Sequence, residues 1–461
     1  MNRRHFGRSV ASSALAFQFQ VVPSRVFGAN GRIALGGIGT GGKGATDIAE
    51  SAKAGFEIVA LTDVADVRRN PEMTGKISAL RTTRDAHPDA RFYTDYREML
   101  YDLGDKVDAV TVSTPDHHHF HAAHAAMGAV KHVYCQKPLT HGIWEARTLS
   151  RLAREQGVKT QMGNQGQAND GSRRCAEILR AGAIGSIREV HVWTDRPTWP
   201  QGFDRSPEPQ PVPAWLDWEQ WIGPAPFVDY HPKIAPFNWR GWWDYGTGAL
   251  GDIACHYLAM VYTATNPGPP LRVQAVAEGG TALSPPIAST VTYEFANGLK
   301  YIWYDGQKGA RFLRDSWSLQ KGEFNRPGND ILNGLDHTRY DTAVVGEAGI
   351  LYFSYFRTSD WVVIPSGRLD GFGWPAPSSP RAREQNPYAE WQDAILGKID
   401  QAESHFGHSG PFTEMVLLGV LAQRFPGEQL EWDDAQMSVK GRPELQNYIQ
   451  RAYRKGWDLR E

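Results

Sequence analysis

Two short stretches of the sequence carry side chains that could move a proton. Asp252 and His256 are four positions apart in GTGALGDIACH, which puts them on one helix face, where a carboxylate can orient an imidazole as a general base. Lys137 lies in QKP, directly after an apolar run. A desolvated lysine has a lowered pKa and can exchange a proton with a hydroxyl group. Taken alone, Asp252 and His256 would be a surface pair or a weak two-ligand metal site, and Lys137 a surface residue in a loop.

A glycine cluster near residue 40 predicts a dinucleotide site. Gly37-x-Gly39-x-x-Gly42 lies between an apolar run and a helical pattern, and a second apolar run, FEIVALTD, follows. In this order of strand, turn, helix and strand, glycines allow a tight turn, close approach to a pyrophosphate and close helix packing. A helix beginning near Gly42 points free N–H groups at the diphosphate. We expect Gly37, Gly39, Thr40 and Gly42 to bind the cofactor; a simple glycine-rich loop is the alternative.

Asp63 ends the second apolar run. It lies 26 positions after Gly37, where the usual spacing is about 20. Its carboxylate is expected to accept hydrogen bonds from the adenosine ribose and would repel a 2′-phosphate, so NAD is favoured over NADP. Arg68 and Arg69 are close enough to soften that preference, and NADP is kept as an alternative.

The alternation of strand and helix patterns continues and predicts a parallel, doubly wound sheet. The fourth and fifth strands end in the motifs TPD and QKP. Both motifs therefore lie at the carboxyl edge of the sheet, where ligands of such sheets bind. These motifs and the helix between them supply the residues expected at the nicotinamide end, namely Thr114, Pro115, His119, Gln136 and Lys137.

Histidines are concentrated directly after the fourth strand, in HHHFHAAH. His117 and His121 share a helix face, a spacing that metal sites also use. No acidic or cysteine ligand accompanies the run locally, and capping and hydrogen bonding beside a cofactor explain imidazoles at a helix start. We therefore predict no metal site.

The ordered set GIGTGGKG, TPDHHH, QKP and GDIACH resembles the Gfo/Idh/MocA family, named for glucose-fructose oxidoreductase and inositol dehydrogenase. The resemblance covers most of residues 31–265 and, loosely, the remainder. It implies a Rossmann domain followed by an α/β domain whose open, mainly antiparallel sheet often forms an oligomer interface. It also implies Lys137, Asp252 and His256 as catalytic residues. The family's usual glutamate before the lysine is Gln136 here, and a neutral amide cannot form an ion pair with Lys137.

Aromatic and amide residues of the second half are candidates for substrate contacts. Eight of the 16 tryptophans lie between Trp193 and Trp243. Flat aromatic faces suit stacking on sugar C–H surfaces, and the packing of a long irregular segment is an equal alternative. The amides of Asn164 and Gln165 follow a strand and could bind sugar hydroxyls or close a turn. We predict Asn164, Gln165, Trp193 and Trp243 as substrate contacts.

The first residues of the chain predict an export signal. Arg3, Arg4 and Phe6 form a twin-arginine start, followed by a weakly apolar stretch that is too short and too polar to anchor the chain in a bilayer. An amphipathic helix is the alternative. We expect export by the twin-arginine route to the periplasm or another extracytoplasmic space and, after cleavage, no membrane contact. Because this route carries folded proteins, it also favours a cofactor bound before export.

The composition narrows the remaining partners. The 461 residues have a net charge of −2, without the basic excess that nucleic-acid binding needs, and three cysteines cannot form a disulfide framework. We predict an α/β protein with a signal at 1–29, a Rossmann NAD-binding domain at 30–160 and a substrate-binding, oligomer-forming α/β domain at 161–461.

The predicted function is NAD(P)-dependent oxidation or reduction of a sugar or polyol, with a tightly bound nucleotide. One alternative is a redox-neutral NAD-dependent glycosidase that oxidises, eliminates, hydrates and reduces a glycoside. The other is a non-catalytic carbohydrate-binding protein.

Overall fold

The computed structural model describes residues 31–66 and 78–459. The predicted signal over residues 1–29, with Arg3 and Arg4, and the pair Arg68 and Arg69 lie outside these residues. Within the described ranges, no helix has the length and apolarity needed to span a bilayer.

The N-terminal part of the molecule is a parallel sheet of six strands. Its elements in chain order are β1 (Ala34–Ile38), α1 (Gly42–Ala54), β2 (Glu57–Thr62), α2 (Ser78–Ala86), β3 (Arg91–Tyr93), α3 (Tyr96–Leu103), β4 (Ala109–Val112), α4 (Asp116–Gly128), β5 (His132–Cys135), α5 (Ile143–Gln156) and β6 (Thr160–Met162). The strand order is β3-β2-β1-β4-β5-β6, and all neighbours are parallel. This order is that of a Rossmann fold, with its ligand crevice between β1 and β4.

Two glycines fix the turn from β1 into α1. Gly39 has φ +76°, and a Cβ there would lie 2.9 Å from the backbone nitrogen of Thr114. A Cβ on Gly44 would lie 1.8 Å from the carbonyl oxygen of Gly39. Because neither position has room for a side chain, the turn lies against the end of β4 and α1 starts directly above it.

The C-terminal part is built around a ten-stranded mixed sheet. Its elements in chain order are α6 (Asp170–Arg180), β7 (Ile187–Thr194), α7 (Trp218–Ile222), α8 (Gly248–Tyr257), α9 (Ala259–Thr265), β8 (Pro270–Glu278), β9 (Ala288–Phe295), β10 (Lys300–Lys308), β11 (Arg311–Leu313), β12 (Ser318–Gln320), β13 (Glu323–Phe324), α10 (Asn329–Leu332), β14 (Thr342–Gly346), β15 (Gly349–Phe353), β16 (Val362–Ile364), α11 (Pro387–Ile395), α12 (Phe406–Arg424), β17 (Gln429–Asp433), β18 (Ser438–Val439) and α13 (Gln446–Ile449).

Nine strands of this sheet lie in the order β16-β15-β14-β7-β10-β9-β8-β17-β18, and β13 pairs with β10. The β7–β10 pair is parallel, while the other pairs are antiparallel. The short strands β11 and β12 form a separate hairpin. The predicted fold class, a Rossmann domain with a mainly antiparallel α/β domain, is therefore confirmed.

The two faces of the mixed sheet are covered differently. Val190 and Val192 of β7 lie in the main hydrophobic core. Trp193 of the same strand lies on the opposite face with Leu332 and Tyr340, so a later segment of this chain covers that face. The expected oligomer interface on the open sheet stays a prediction.

Helices near the C terminus pack on the N-terminal sheet. Tyr388 of α11 stacks on Tyr134 of β5 with ring centroids 4.6 Å apart, and Trp391 stacks on Phe56 at 4.9 Å. Helix α12 packs against α5. These contacts fix the N-terminal sheet relative to the mixed sheet.

Candidate active site

A cavity of about 730 Å³ lies at the carboxyl edge of the parallel sheet. One wall is the turn between β1 and α1, and the opposite wall comes from the C-terminal part. The predicted residues that line it are Gly39, Gly42, Asp63, Thr114, Pro115, His119, Gln136, Lys137, Gln165, Asp252 and His256. Side chains that are far apart in the sequence thus face one space.

Asp63 holds the glycine turn in place. Its Oδ2 accepts hydrogen bonds from the N–H groups of Thr40 at 3.0 Å and Gly41 at 2.9 Å, and its Oδ1 accepts one from Ala65 at 3.1 Å. Burial raises the pKa of Asp63, and the three N–H donors oppose that rise. Thr40 is fully buried, so Thr40 shapes the turn from behind the cavity wall. Gly37 also lies behind the wall, where a Cβ would come within 2.5 Å of Thr40.

Lys137 and Asp252 form a partly buried ion pair in the cavity. The Lys137 Nζ donates to Asp252 Oδ1 at 2.8 Å and to the Asp252 carbonyl oxygen at 2.7 Å. The Nε of Arg240 donates to the same Oδ1 at 3.2 Å. Although burial raises the pKa of Asp252, the charges of Lys137 and Arg240 outweigh it and hold that pKa well below its ordinary value.

This geometry corrects one prediction. The four-residue spacing predicted that Asp252 orients His256, and the structure instead gives the Asp252 carboxylate to Lys137 and Arg240. Two cations attract a buried carboxylate more strongly than a neutral imidazole does. Helical spacing alone does not reveal such competitors from other elements.

His256 is hydrogen-bonded to Tyr355 instead. Its Nδ1 lies 2.8 Å from the phenol oxygen of Tyr355, and the backbone N–H of Gly166 donates to that oxygen at 3.0 Å. Burial and the nearby charge of Lys137 lower the pKa of His256 to about 3, so the imidazole is neutral at neutral pH. Tyr355 follows β15, and no motif or spacing in the sequence linked it to His256.

Asp116 is a second carboxyl group at the Lys137 end of the cavity, and the sequence analysis gave it no role. It is the first residue of α4, and its Oδ2 accepts a hydrogen bond from the Thr247 hydroxyl at 2.8 Å. Burial and the negative charge of Asp252 raise the pKa of Asp116 to about 7. Its position in TPD, at the sheet edge, was the signal that could have identified it.

Gln136 is directed away from the lysine that follows it. Its amide donates to Asp47 Oδ2 at 2.9 Å. Asp47, in α1, also accepts from Ser113 Oγ at 2.6 Å and from the Tyr388 hydroxyl at 2.6 Å, and Lys43 Nζ lies 2.9 Å from it. The residue that departs from the family pattern is therefore paired with a buried carboxylate.

The histidines at the start of α4 contact backbone carbonyls. His117 and His118 each place Nε2 2.9 Å from the carbonyl oxygen of Trp221, and His119 places Nδ1 2.7 Å from that of Pro138. Among residues 31–66 and 78–459, no group of three His, Cys, Asp or Glu side chains could hold a metal ion.

The tryptophan-rich segment, residues 196–245, fits both alternatives that the sequence left open. Trp218 and Trp221 stack on each other at 4.6 Å within a hydrophobic cluster that is built mainly from this segment. The segment also forms an aromatic wall of the cavity, from Trp199, Trp215, Trp221, Tyr230, Phe237 and Trp239.

Three of the four predicted substrate contacts do not line the cavity. Trp193 lies on the far face of the mixed sheet and donates its indole N–H to the His337 carbonyl oxygen. Trp243 lies in the main core. Asn164 is 2% exposed and lies outside the cavity lining. Burial of large apolar surface decided the positions of both tryptophans, and Gln165 is the predicted contact that does line the cavity.

The chain matches two models of one protein family. Residues 32–164 match the oxidoreductase family's NAD-binding Rossmann fold, and residues 192–314 match the same family's C-terminal alpha/beta domain. The chain belongs to the Gfo/Idh/MocA family of oxidoreductases. Its N-terminal domain is therefore an NAD-binding Rossmann domain.

Individual family members are distant. Levoglucosan dehydrogenase of Pseudarthrobacter phenanthrenivorans is 25% identical over 167 residues, which are 36% of this chain and 35% of that protein. D-xylose 1-dehydrogenase (NADP(+)) of Hypocrea jecorina is 30% identical over 131 residues, 28% of this chain and 31% of that enzyme. The first curated relatives, including oxidoreductase YrbE of Bacillus subtilis, are matched over less than half their length.

Solved structures share the family fold over most of the chain. The WlbA dehydrogenase of Bordetella pertussis, in complex with NADH and UDP-GlcNAcA, has a TM-score of 0.57 at 17% identity, covering 87% of this chain and 99% of that one. An aldose-aldose oxidoreductase of Caulobacter crescentus has a TM-score of 0.54 at 17% identity, covering 87% and 100%.

The residues of the cavity fit the dinucleotide. Helix α1 has Gly41 at its N-cap and no side-chain cap. The N–H of Gly44 is bonded to the Gly41 carbonyl oxygen, so the N–H groups of Gly42 and Lys43 are those left for an anion. A Cβ on Gly42 would meet nothing within 4 Å, so this side of the turn is open. The turn can hold the pyrophosphate and Asp63 the ribose, while Thr114, Pro115 and Lys137 lie where the nicotinamide end is expected.

Proposed function

We propose that the protein is a nicotinamide-dependent oxidoreductase that interconverts a hydroxyl and a carbonyl group of a sugar or polyol. One observation carries the proposal: Lys137, Asp252 and His256 face the same cavity as the glycine turn of an NAD-binding domain. The bound nicotinamide supplies the chemistry of hydride transfer. The protein's own groups must then bind the substrate oxygen and manage its proton.

Lys137 is the first of these groups. Two of its N–H bonds are directed to Asp252, which leaves one for the substrate oxygen. Asp252, ionised beside two cations, fixes the direction of that remaining N–H bond. A positively charged donor stabilises negative charge that develops on the oxygen during reaction.

The aromatic wall supports a carbohydrate substrate. Trp199 and Trp239 present large apolar rings to the cavity, next to the polar groups of Arg240 and Gln165. Rings beside hydrogen-bonding groups suit the C–H faces and hydroxyls of a sugar. Relatives named for levoglucosan, D-xylose and aldose substrates point to the same class.

We also propose that the nucleotide is tightly held. The loop after β2 is bridged to the tryptophan-rich segment: Asp66 donates its N–H to the Trp215 carbonyl oxygen at 2.8 Å, and Asp217 donates to that of Val64 at 2.9 Å. Trp215 packs against Ala65 and Leu80 beside Asp63. A nucleotide bound there would lie beneath this bridge, so its release requires these bonds to open.

A redox-neutral glycosidase is the second candidate, favoured by Asp116. Oxidation of a glycoside at one carbon acidifies the neighbouring C–H bond, so that the aglycone leaves by elimination before water addition and reduction. These reaction steps need an acid–base group in addition to Lys137 and His256. Asp116, with its pKa near 7 close to Lys137, could serve.

The test begins with the purified protein. Absorbance and mass of the supernatant after denaturation report a retained nucleotide, and a sugar panel with aryl glycosides reports turnover. Net change in NADH or a coupled sugar product supports the oxidoreductase. Aryl glycoside hydrolysis without net NADH supports the glycosidase. If the protein shows no nucleotide binding and no turnover, the result supports a non-catalytic carbohydrate-binding protein.

We further propose twin-arginine export and a homo-oligomer. Residues 1–29 fused to a reporter should direct it out of the cytoplasm, and replacing Arg3 and Arg4 by lysine should stop this. Light scattering during size-exclusion chromatography measures the oligomeric state, and a monomer would contradict that part.

A further inference from the structure

Tyr355 brings a phenol from the C-terminal part to the imidazole of His256. The two rings lie 5.0 Å apart, and the phenol oxygen is 2.8 Å from His256 Nδ1. The same oxygen accepts the N–H of Gly166 at 3.0 Å. His256 Nε2 has no hydrogen-bond partner in the described part of the protein, and His256 lines the cavity.

The donors and acceptors at this contact determine which ring nitrogen of His256 carries the proton. A phenol has one proton to donate, and Gly166 N–H can only donate to it. His256 Nδ1 is therefore the acceptor for the phenol proton. The reverse arrangement, with Nδ1–H donating to Tyr355, would leave the phenol proton without an acceptor among the described residues, which costs free energy at a partly buried position.

The surroundings of Tyr355 hold it in this position. Asp341 Oδ2 accepts its backbone N–H at 2.8 Å, and the ring of Tyr257 lies 5.5 Å from its ring. A Cβ on Gly166 would lie 2.2 Å from the Tyr355 ring, so glycine is needed there for the N–H to reach the phenol. Burial raises the pKa of Tyr355 to about 12, so the phenol keeps its proton at neutral pH.

We propose that Tyr355 is a positioning residue that fixes neutral His256 with its proton on Nε2, so that His256 meets the substrate oxygen as a hydrogen-bond donor beside Lys137. The nature of that oxygen rests on the proposed function; the assignment of the proton does not. A carbonyl oxygen accepts from both donors at once. A hydroxyl group also needs an acceptor for its own proton, so the site as built binds the carbonyl form more tightly.

Nuclear magnetic resonance of the full chain labelled with ¹⁵N-histidine tests the assignment directly. Two-bond ¹H–¹⁵N correlations distinguish a protonated ring nitrogen from a bare one, and the His256→Gln variant identifies the signals. We expect a bare Nδ1 and a protonated Nε2 at neutral pH. A protonated Nδ1 in the wild-type protein would overturn the proposal, whatever the enzyme's activity.

The Tyr355→Phe variant removes only the phenol group. We expect both tautomers of His256 to become populated. Tyr257→Phe changes a ring that packs on Tyr355 and has no hydrogen bond to His256 among the described residues, so it should leave the wild-type tautomer unchanged. A Tyr355→Phe spectrum identical to the wild type would show that the phenol does not fix the imidazole.

Titration and kinetics together separate a positioning role from a structural one. A hydrogen bond to the neutral imidazole disfavours its protonation, so its loss should raise the pKa of His256, which a pH titration of the assigned ¹⁵N signals measures. The charged groups that face His256, namely Lys137, Asp252 and Lys43, are unchanged in the variant. We expect kcat to fall about tenfold with little change in KM.

An unmoved titration of His256 in Tyr355→Phe would contradict the proposal. Absence of any sugar turnover together with the expected tautomer would contradict the proposed function alone.

Discussion

The two walls of the cavity differ in composition: one is made mainly of backbone and the other mainly of side chains. The N-terminal wall is mainly backbone: a glycine turn, the start of α1 and the carboxyl ends of β4 and β5, held by Asp63. The C-terminal wall is made of side chains from irregular segments and from α8. The backbone wall is determined by local strand, turn and helix structure. The side-chain wall is determined by packing between distant segments, and it controls what binds beside the nucleotide.

The largest expected effect comes from the residue where the two walls meet. Lys137→Ala removes the donor to the substrate oxygen, so kcat should fall by at least about 100-fold, the usual lower range for a group that takes part in proton transfer. Nucleotide affinity should be nearly unchanged. Steady-state kinetics and nucleotide titration measure both.

Lys137→Arg is the control for folding, because it keeps a cation for buried Asp252 and so should retain more stability than the alanine variant. Wild-type turnover in Lys137→Ala would exclude the assigned role.

The backbone wall is tested by a single methyl group. In Gly39→Ala, a side chain at φ +76° would lie 2.9 Å from Thr114 N, so the turn must move and nucleotide affinity should fall more than about tenfold. Gly157→Ala has a comparable φ of +64° with nothing within 4 Å. It should lose only about 1 kcal/mol of unfolding free energy and bind nucleotide normally. Equal nucleotide affinity in the two variants would argue against the turn as the binding site.

The side-chain wall is tested by two buried tryptophans. Trp239 lines the cavity, whereas Trp193 lies on the far face of the mixed sheet. Trp239→Phe should raise KM for the carbohydrate about fivefold through weaker ring contact, and Trp193→Phe should lower thermal stability with KM unchanged. If KM rises in Trp193→Phe and not in Trp239→Phe, Trp239 is not the residue that contacts the carbohydrate.

The smallest effect concerns pH. The folded protein raises the pKa of Asp116 to about 7, so between the unfolded value near 4 and 7 the folded state holds a proton that the unfolded state has lost. This contribution to stability therefore falls as pH rises through that window. Asp252 behaves oppositely, but its lowered pKa places its loss of stabilisation below this window.

The variant Asp116→Asn cannot titrate at this position. Its melting temperature relative to wild type should rise by a few degrees between pH 5 and pH 8. A difference that is constant over this range would mean that Asp116 is already ionised at pH 5.

The sequence was sufficient for the parallel sheet and the glycine turn, because local periodicity and motif order determine where strands end. That Lys137 meets α8 was implied by the family resemblance. It was not sufficient for the partner of each polar group. Spacing within one helix predicted an Asp252–His256 contact, and Lys137, Arg240 and Tyr355 arrived from other elements to take those bonds. Trp193 and Trp243 show the same limit, because a tryptophan in the sequence can pack in the protein core or line the cavity, and the sequence does not distinguish the two.

The carboxylate of Asp47 has an evolutionary consequence. It is buried where α1, β4, β5 and α11 meet, and the amide of Gln136 is one of its donors. Gln136→Glu alone would bring a second anion against it. We therefore expect the two positions to vary together: homologues with glutamate at the position of Gln136 should seldom keep an acid at that of Asp47.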